Sequence, residues 1–571
     1  MGDTFFSLPD KPFSGGVTGV TLSTQPNIDR SFRTGSFITL MDRLLTNATV
    51  HTLQPEQPRA SVIAVRGGRI VAVGGEDLLA LRTKETVIDD LAGATVIPGL
   101  VDAHIHWAWT AQGLREIELF AVPSKAEAVA RVAARAALTP KGVWLTGRGW
   151  AQDLWADRAF PAAADLDAVT PNHPVFLKAR SGHAGWANSA ALHLAGISAA
   201  TPDPEGGVIE RDDKGRPTGI LFETAMDMVD RIVPRPTPAE LADLMAEAQQ
   251  HAWRAGLTGL HDYDPPRAFE ALQILHERGA LGLRIVKNIN DPYIDQAIGL
   301  GLRWGFGDDW LRLGGLKIFA DGALGARTAA MIDPYEGEPY NRGVIVTDKE
   351  TMYALVSRAS RAGFPATIHA IGDKAVHDVL DVYEAVRGEE AAAGIPRAAR
   401  RHRIEHVQVI HPADVGRLAA LEIIASMQPI HATADYEMAD RYWGGRSALA
   451  YNARVQIDQG VRVAFGSDAP VEPFAPLVGI HAAVTRRRAD GTPGEAGWYP
   501  ALRLSVDEAI RGYTEGAAYA AGMEDRLGRI APGFLADLTI LERDPYAIPP
   551  DDLLTVKVVG TMTGGVWRYG G

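Results

Sequence analysis

The amino-acid sequence predicts an eight-stranded parallel α/β barrel joined to a small β-sandwich drawn from both ends of the chain. Three observations predict it. The middle of the chain alternates short apolar runs with helical stretches, and eight such runs can be counted. Ionisable residues fall at the C-terminal ends of these runs, which is where barrels of this kind place their active sites. Both ends of the chain carry short β-type runs broken by Gly-Gly pairs.

In chain order, Met1–Gly35 is rich in Gly, Ser, Thr, Pro and Asp and reads as an irregular arm, packed through Phe5, Phe6 and Phe13 or disordered. Ala48–Leu53, Ser61–Val65 and Arg69–Val73 read as antiparallel strands turning at Gly67-Gly68 and Gly74-Gly75. The same texture returns at Ala536–Leu541, Thr555–Met562 and Val566–Tyr569. The sandwich is therefore expected from residues 36–97 and 526–571, with the barrel over 98–525. The eight candidate barrel strands are Leu100–His106, Leu257–Asp262, Leu281–Lys287, Leu313–Phe319, Pro365–His369, Arg403–His406, Ile423–Met427 and Val461–Ser467. Between the first two lies an insertion, 108–255, far longer than an ordinary βα loop. It carries strand-like runs of its own, Gly142–Thr146 and Pro174–Ala179, and is expected to form a subdomain or lid over the barrel mouth.

At 571 residues the chain exceeds what one ordinary hydrophobic core organises. A formal net charge of -13 argues against nucleic acid and against anionic membrane surfaces but says little about the substrate, which is expected to be a small molecule. A homodimer is compatible with this composition. There is no cysteine, which excludes disulfides, zinc–thiolate sites and a cysteine nucleophile. No apolar run approaches the length of a membrane span. Met1–Asp10 lacks the basic and apolar segments of a secretory leader, so cytoplasmic residence is expected.

The chemistry begins at Ile97–Trp107, where an apolar run closes on His104 and His106. Residues two apart on a strand share a face, so two imidazoles stand side by side, half of a metal site. Lys317 sits in the apolar run Leu-Lys-Ile-Phe, where a free ammonium is costly. It is either paired in a buried salt bridge, for example with Asp321, or neutralised by desolvation. A neutral amine can take up carbon dioxide as a carbamate, whose two oxygens suit bridging two divalent cations. His369 and His406 end the fifth and sixth runs, and Asp468, in Gly-Ser-Asp, ends the eighth. Asp468 can ligate a metal and accept a proton from water. Nitrogen and oxygen donors without thiolate suit zinc, and also manganese, cobalt or nickel.

Pro-Gly-Leu-Val-Asp-Ala-His-Ile-His, Lys317, His369, His406 and Gly-Ser-Asp, in this order, resemble the amidohydrolase superfamily. Gly528–Leu541 is similar to its C-terminal sandwich signature. Ser181–Leu192, Phe319–Ala329 and Ser426–Pro429 resemble the YtcJ-like branch, which includes N-substituted formamide deformylase. The resemblance spans Thr39 to the C-terminus. It implies that His104, His106 and Asp468 hold one metal and that His369 and His406 hold a second. Carboxylated Lys317 would bridge the two. It further implies attack by a bridging hydroxide on a C–N bond of amide or N-formyl type, with Asp468 as the proton carrier.

Other groups are candidates for substrate contact. His183, in the insertion, either donates to the substrate carbonyl as a catalytic group or supports one that does. Arg327 binds a substrate carboxylate or pins its loop. His431 and Asp435 are placed to line the mouth. Trp107, Trp109 and Trp150 wall an apolar pocket or pack inside, and Glu223 reads as structural. The alternatives to an amide hydrolase are a carbamate, ester or cyclic amide hydrolase, a heterocycle deaminase, and a barrel that only binds a ligand. A bridging lysine has no use in a one-metal deaminase.

Overall fold

A computed structural model of the chain describes residues 42–120 and 122–571; the arm expected over 1–35 lies outside the described residues. The barrel strands are β1 (Leu100–Ile105), β2 (Leu257–Asp262), β3 (Arg284–Asn290), β4 (Leu311–Phe319), β5 (Ala366–Ala370), β6 (Arg403–His406), β7 (Ile424–Met427) and β8 (Val463–Phe465). All run parallel, each paired with its predecessor in sequence. The seam between β8 and β1 is held by single backbone bonds. The Asp468 N–H donates to the His104 carbonyl (2.7 Å) and the His106 N–H to that of Ala469 (2.9 Å).

Outward-facing Leu260, Ile285, Ile318, Ile368 and Ile404 bury against an outer ring of helices, as a parallel sheet covered on both faces requires. The helices start where their sequences dictate. Thr237 and Glu240 form a capping box at the head of Pro238–Arg254, with Pro238 at the first position. Asp348 caps Lys349–Ala362, which Gly363 ends at φ 101°.

Six of the eight strands differ from the sequence expectation at a boundary, β3 and β8 most. β3 begins at Arg284 rather than Leu281 because the preceding backbone is bonded to a side chain. Gln249 accepts from the Gly282 N–H (2.6 Å) and donates to the Ala280 carbonyl (3.1 Å). β8 ends before Ser467 because both the backbone N–H and the hydroxyl of that residue turn to Asp102.

The chain ends meet in a six-stranded sheet. Its order is Val566–Tyr569, Val558–Thr563, Leu538–Leu541, Thr95–Pro98, Thr49–His51, Arg59–Ala60. Ile540 pairs opposite Val96 across the junction. A second sheet, ordered Arg69–Gly74, Val62–Arg66, Arg43–Thr46, Val87–Asp90, shares a core with it through Leu45, Ile63, Val96, Leu538 and Met562. Thr95–Pro98 leads directly into β1, so this β domain anchors the first metal-site strand. Deleting 536–571 is expected to strip one of its two partners from Thr95–Pro98 and expose Val96 and Ile63, yielding insoluble protein. Soluble, active truncated enzyme in a sedimentation and activity assay would contradict this.

The insertion holds a six-stranded sheet of its own, ordered Gly207–Arg211, Pro217–Glu223, Ala184–Ala187, Val175–Ala179, Leu145–Trp150, Ile117–Glu118. Trp150, Trp155 and Trp186 fill one of its cores. Among the described residues no helix is long and apolar enough to cross a membrane.

Candidate metal centre

The C-terminal ends of the strands bring His104, His106, His406, His431 and Asp468 to one point. One nitrogen each of His104 and His106 and a carboxylate oxygen of Asp468 lie within 4.8 Å of one another, and so do those of His406, His431 and Asp468. Asp468 Oδ1 is 3.4 Å from Nε2 of both His104 and His106. Asp468 takes a left-handed backbone conformation, φ 59°, which its N–H bond to the His104 carbonyl holds. His406 does likewise at φ 78°, just where β6 ends. That turn frees its ring from the strand alternation and points it at the cluster.

Each ring is oriented from behind. The His104 Nδ1 is 2.7 Å from Glu405 Oε2, and its face stacks on Tyr263 at 4.0 Å. Glu405 is itself held by the Tyr263 hydroxyl (2.9 Å) and by Arg403 Nε (2.9 Å). Burial opposes ionisation of Glu405, but Arg403 and His104 outweigh it and keep the carboxyl below its ordinary range. The His106 Nδ1 is 3.2 Å from Asp264 Oδ1. The other Asp264 oxygen accepts from Ala108 and Trp109 N–H groups in the first turn of the helix Trp107–Gly113, donors that no helical carbonyl could satisfy. The His406 Nδ1 is 2.7 Å from Gln428 Oε1. Acceptors on Nδ1 put the proton there and leave Nε2 with its lone pair.

Burial dominates the protonation states. It lowers His104 to about 4 against the pull of Glu405. Together with the neighbouring His369 and His104 it also holds His406 neutral. His106 is different: burial lowers it, but its bonds to Asp264 and Asp468 raise it to about 9. Burial likewise works against the Asp468 carboxylate, yet the bond from His106 and the histidines packed around it keep it far below its ordinary pKa. Asp102, one strand step below His104, is pushed up to about 7 by burial despite its bonds from Ser467.

Lys317, on β4, is buried between the rings of Tyr263 (4.7 Å) and Phe319 (4.4 Å). Among the described residues no carboxylate lies within ion-pairing distance of Nζ. Asp321, the partner in the salt-bridge alternative, instead accepts the N–H groups of Ala330, Ile371 and Gly372. Burial lowers Lys317 to about 8, against the pull of Glu405 and Asp468. His369, on β5, lies 4.6 Å from His406, ring to ring. Its Nε2 turns away to the Gly322 carbonyl (2.9 Å). The clustered ligand atoms around Asp468 thus include His431 and not His369.

The other candidates lie elsewhere. His183 pairs with Glu223 at 3.0 Å on the surface of the insertion, its side chain 71% exposed. Trp107 is buried edge-on to Phe474, and Trp150 donates Nε1–H to the Leu177 carbonyl inside the insertion; neither faces an open pocket. Trp109, half-exposed, has its ring 6.1 Å from that of His106. Arg327 is tied to Glu338 (2.7 Å) and lies over the Tyr442 ring, which pins its loop. Asp435 accepts the Tyr451 hydroxyl at 2.8 Å. Sequence reasoning missed Glu405, Arg403, Tyr263, Asp264, Asp102 and Gln428. For Asp102, Arg403 and Glu405 a signal existed: two-residue spacing along β1 and β6 puts Asp102 on the face of His104, and Arg403 on the face of Glu405.

The donor set fits a divalent cation: the imidazoles of His104, His106 and His406, each with its Nδ1 turned to an acceptor, bring their Nε2 atoms to an ionised carboxylate. With the barrel and its C-terminal mouth, this defines a hydrolase class, and the chain belongs to the amidohydrolase family, whose model matches residues 87–569. Among its relatives is YtcJ of Bacillus subtilis, 33% identical over 91% of this chain and 98% of that protein. The N-substituted formamide deformylase of Arthrobacter pascens is 30% identical over 93% of this chain and 98% of its own length. A solved structure titled an uncharacterized metal-dependent hydrolase, from Pyrococcus furiosus, superposes with TM-score 0.73 at 28% identity, covering 88% of this chain and 99% of that one.

Proposed function

We propose that this enzyme hydrolyses an amide-type C–N bond of a small N-formyl or N-acyl amine. The observation that carries the reading is Asp468, a largely buried carboxylate kept ionised 3.4 Å from two histidines at the barrel mouth. His104, His106 and Asp468 would hold one cation. His406, with His369, would hold a second, and a carbamate on Lys317 would join them. Zinc suits these donors best. Bound cations supply an acidified water and polarise the scissile carbonyl. Asp468 accepts a proton from the attacking water and returns it to the leaving nitrogen, which needs an anion whose proton affinity rises as the reaction proceeds. Glu405 and Asp264 hold His104 and His106 in position throughout. His183, paired with Glu223 on the insertion's surface, would be the insertion's contribution to substrate contact. Similarity to the formamide deformylase supports an N-formyl group as the first substrate class to try.

A panel of N-formyl amines, N-acyl amines, cyclic amides and carbamates, assayed with zinc-loaded enzyme, tests the reading. Turnover is expected on the formyl or acyl amines, with release of the free amine. Turnover confined to carbamates or cyclic amides, or none on any member, would overturn it.

A further inference from the structure

We infer that the amine side of the substrate carries a second, positively charged group on an apolar stem, taken up by Glu472 in a cleft between the insertion and the loop after Asp468. The inference rests on the hydrolytic reading above and names the substrate class within it.

The cleft has a volume of about 480 Å³, an ordinary size for a small-molecule site. One wall is the helix Trp107–Gly113 and the chain that follows it to Phe120; the other is the loop from Ala469 to Phe474. These are the segments that leave His106 and Asp468. The Ala469 carbonyl accepts the His106 N–H at 2.9 Å, so the two walls meet at the metal centre. Glu472 feels Asp468 and His431 across the same short span.

Much of the lining is apolar and uncovered. Leu114, Phe120 and Val471 are 38%, 41% and 56% exposed, and all three border this one cleft with Phe474. Its charge is negative, Glu116, Glu118 and Glu472 against Arg148. Arg148 is already taken, 3.4 Å from Glu116 and over the Phe120 ring. Glu472 is half-buried and, among the described residues, makes no hydrogen bond or ion pair. Arg488, the cation that acts on it from a distance, is bound to the carbonyls of Thr433 and Ala434 and faces Glu437 at 3.5 Å. Burial works against the Glu472 carboxylate and raises its pKa. On the opposite wall the Thr110 hydroxyl is buried and, among the described residues, unpartnered, a second oxygen for a donor.

These features select among substrates. An anionic arm would be repelled by Glu118 and Glu472. A neutral apolar arm would cover the walls and leave Glu472 withdrawn from water without a partner, which costs free energy. An ammonium on an apolar stem meets both demands: the stem lies on Leu114, Phe120 and Val471, and the head faces Glu472. The rings of Phe120 and Phe474 also favour a cation. The substrate class is therefore an N-formyl or N-acyl derivative of a diamine.

Three N-formyl amines of one chain length, ending in an ammonium, a methyl group or a carboxylate, test this on zinc-loaded enzyme. The ammonium-ended compound should exceed the methyl-ended one in kcat/KM about tenfold, between the worth of an exposed and of a buried ion pair, and the carboxylate-ended one should be the poorest. Glu472→Gln should cut kcat/KM for the ammonium-ended compound about tenfold, mainly through KM. Glu472→Lys should invert the order, raising the carboxylate-ended compound above the ammonium-ended one, which a merely structural role for Glu472 would not do. Equal or better turnover of the methyl- or carboxylate-ended compound by the wild type, or an unchanged order in Glu472→Lys, would overturn the inference. Calorimetry reads the cleft without turnover: the diamine released from the first compound should bind about tenfold more tightly than the monoamine released from the second. If no amide is cleaved, the functional reading fails, and this pair of amines alone decides the cleft, equal binding overturning it.

Discussion

Asp468→Asn is expected to lower kcat by about 10²-fold or more, with metal content close to that of the wild type. The substitution is chosen to remove one property only. Asparagine has the shape of aspartate and tolerates the left-handed backbone found here, φ 59°, so the bond from residue 468 to the His104 carbonyl survives. Its carboxamide oxygen can still sit 3.4 Å from His104 and His106 and face a cation. It cannot take a proton. The wild-type carboxylate can, and it is kept ionised against the effect of burial by His106 and the histidines packed around it. Steady-state kinetics on whichever amide the panel identifies, with metal analysis of the same preparation, would show the split. Near-normal turnover would remove Asp468 from proton transfer.

The second large effect is expected at Lys317. A buried amine with no ion-pair partner among the described residues and a pKa lowered to about 8 by desolvation is half neutral at mildly alkaline pH, and the neutral form is the one that reacts with carbon dioxide. At fixed dissolved carbon dioxide, reactivation of metal-free enzyme by zinc should therefore quicken about tenfold between pH 7 and pH 9, following the neutral fraction. The stability sign is the same. The folded chain binds fewer protons than the unfolded one between about 8 and the ordinary 10.5, so the metal-free fold gains stability as pH rises through that window. Lys317→Ala should lose metal and nearly all activity, and a short carboxylic acid at high concentration should restore part of both. An electron-density map showing an unmodified amine with both metals bound would refute the carbamate.

Much of this molecule was legible before any coordinates. The eight barrel strands lie where apolar runs alternate with helical ones, because a parallel strand buried on both faces is mostly apolar outside the positions that face the site. The terminal strands were only partly visible. Arg43–Thr46 and Val87–Asp90 carry charged residues, and Val87 and Ile88 stay exposed, so neither shows an apolar pattern. Thr95–Pro98 was hidden for the opposite reason: it runs straight on into β1 and reads as one apolar stretch with it.

By itself the sequence determined the barrel and the β sheets built from both chain ends, and it named His104, His106, His406 and Asp468, which the structure brings together, because periodicity and residue chemistry are local properties. It did not determine which nitrogen each histidine offers. That depended on residues remote in the chain: Glu405 behind His104, Asp264 behind His106 and Gln428 behind His406. Two-residue alternation would also have set the His406 ring on the face opposite Glu405, and a left-handed turn at φ 78° overrides it. Only the tertiary structure decided these points, since a side chain's tautomer and direction follow from the donor or acceptor packed against it, and packing joins segments that the sequence keeps hundreds of residues apart.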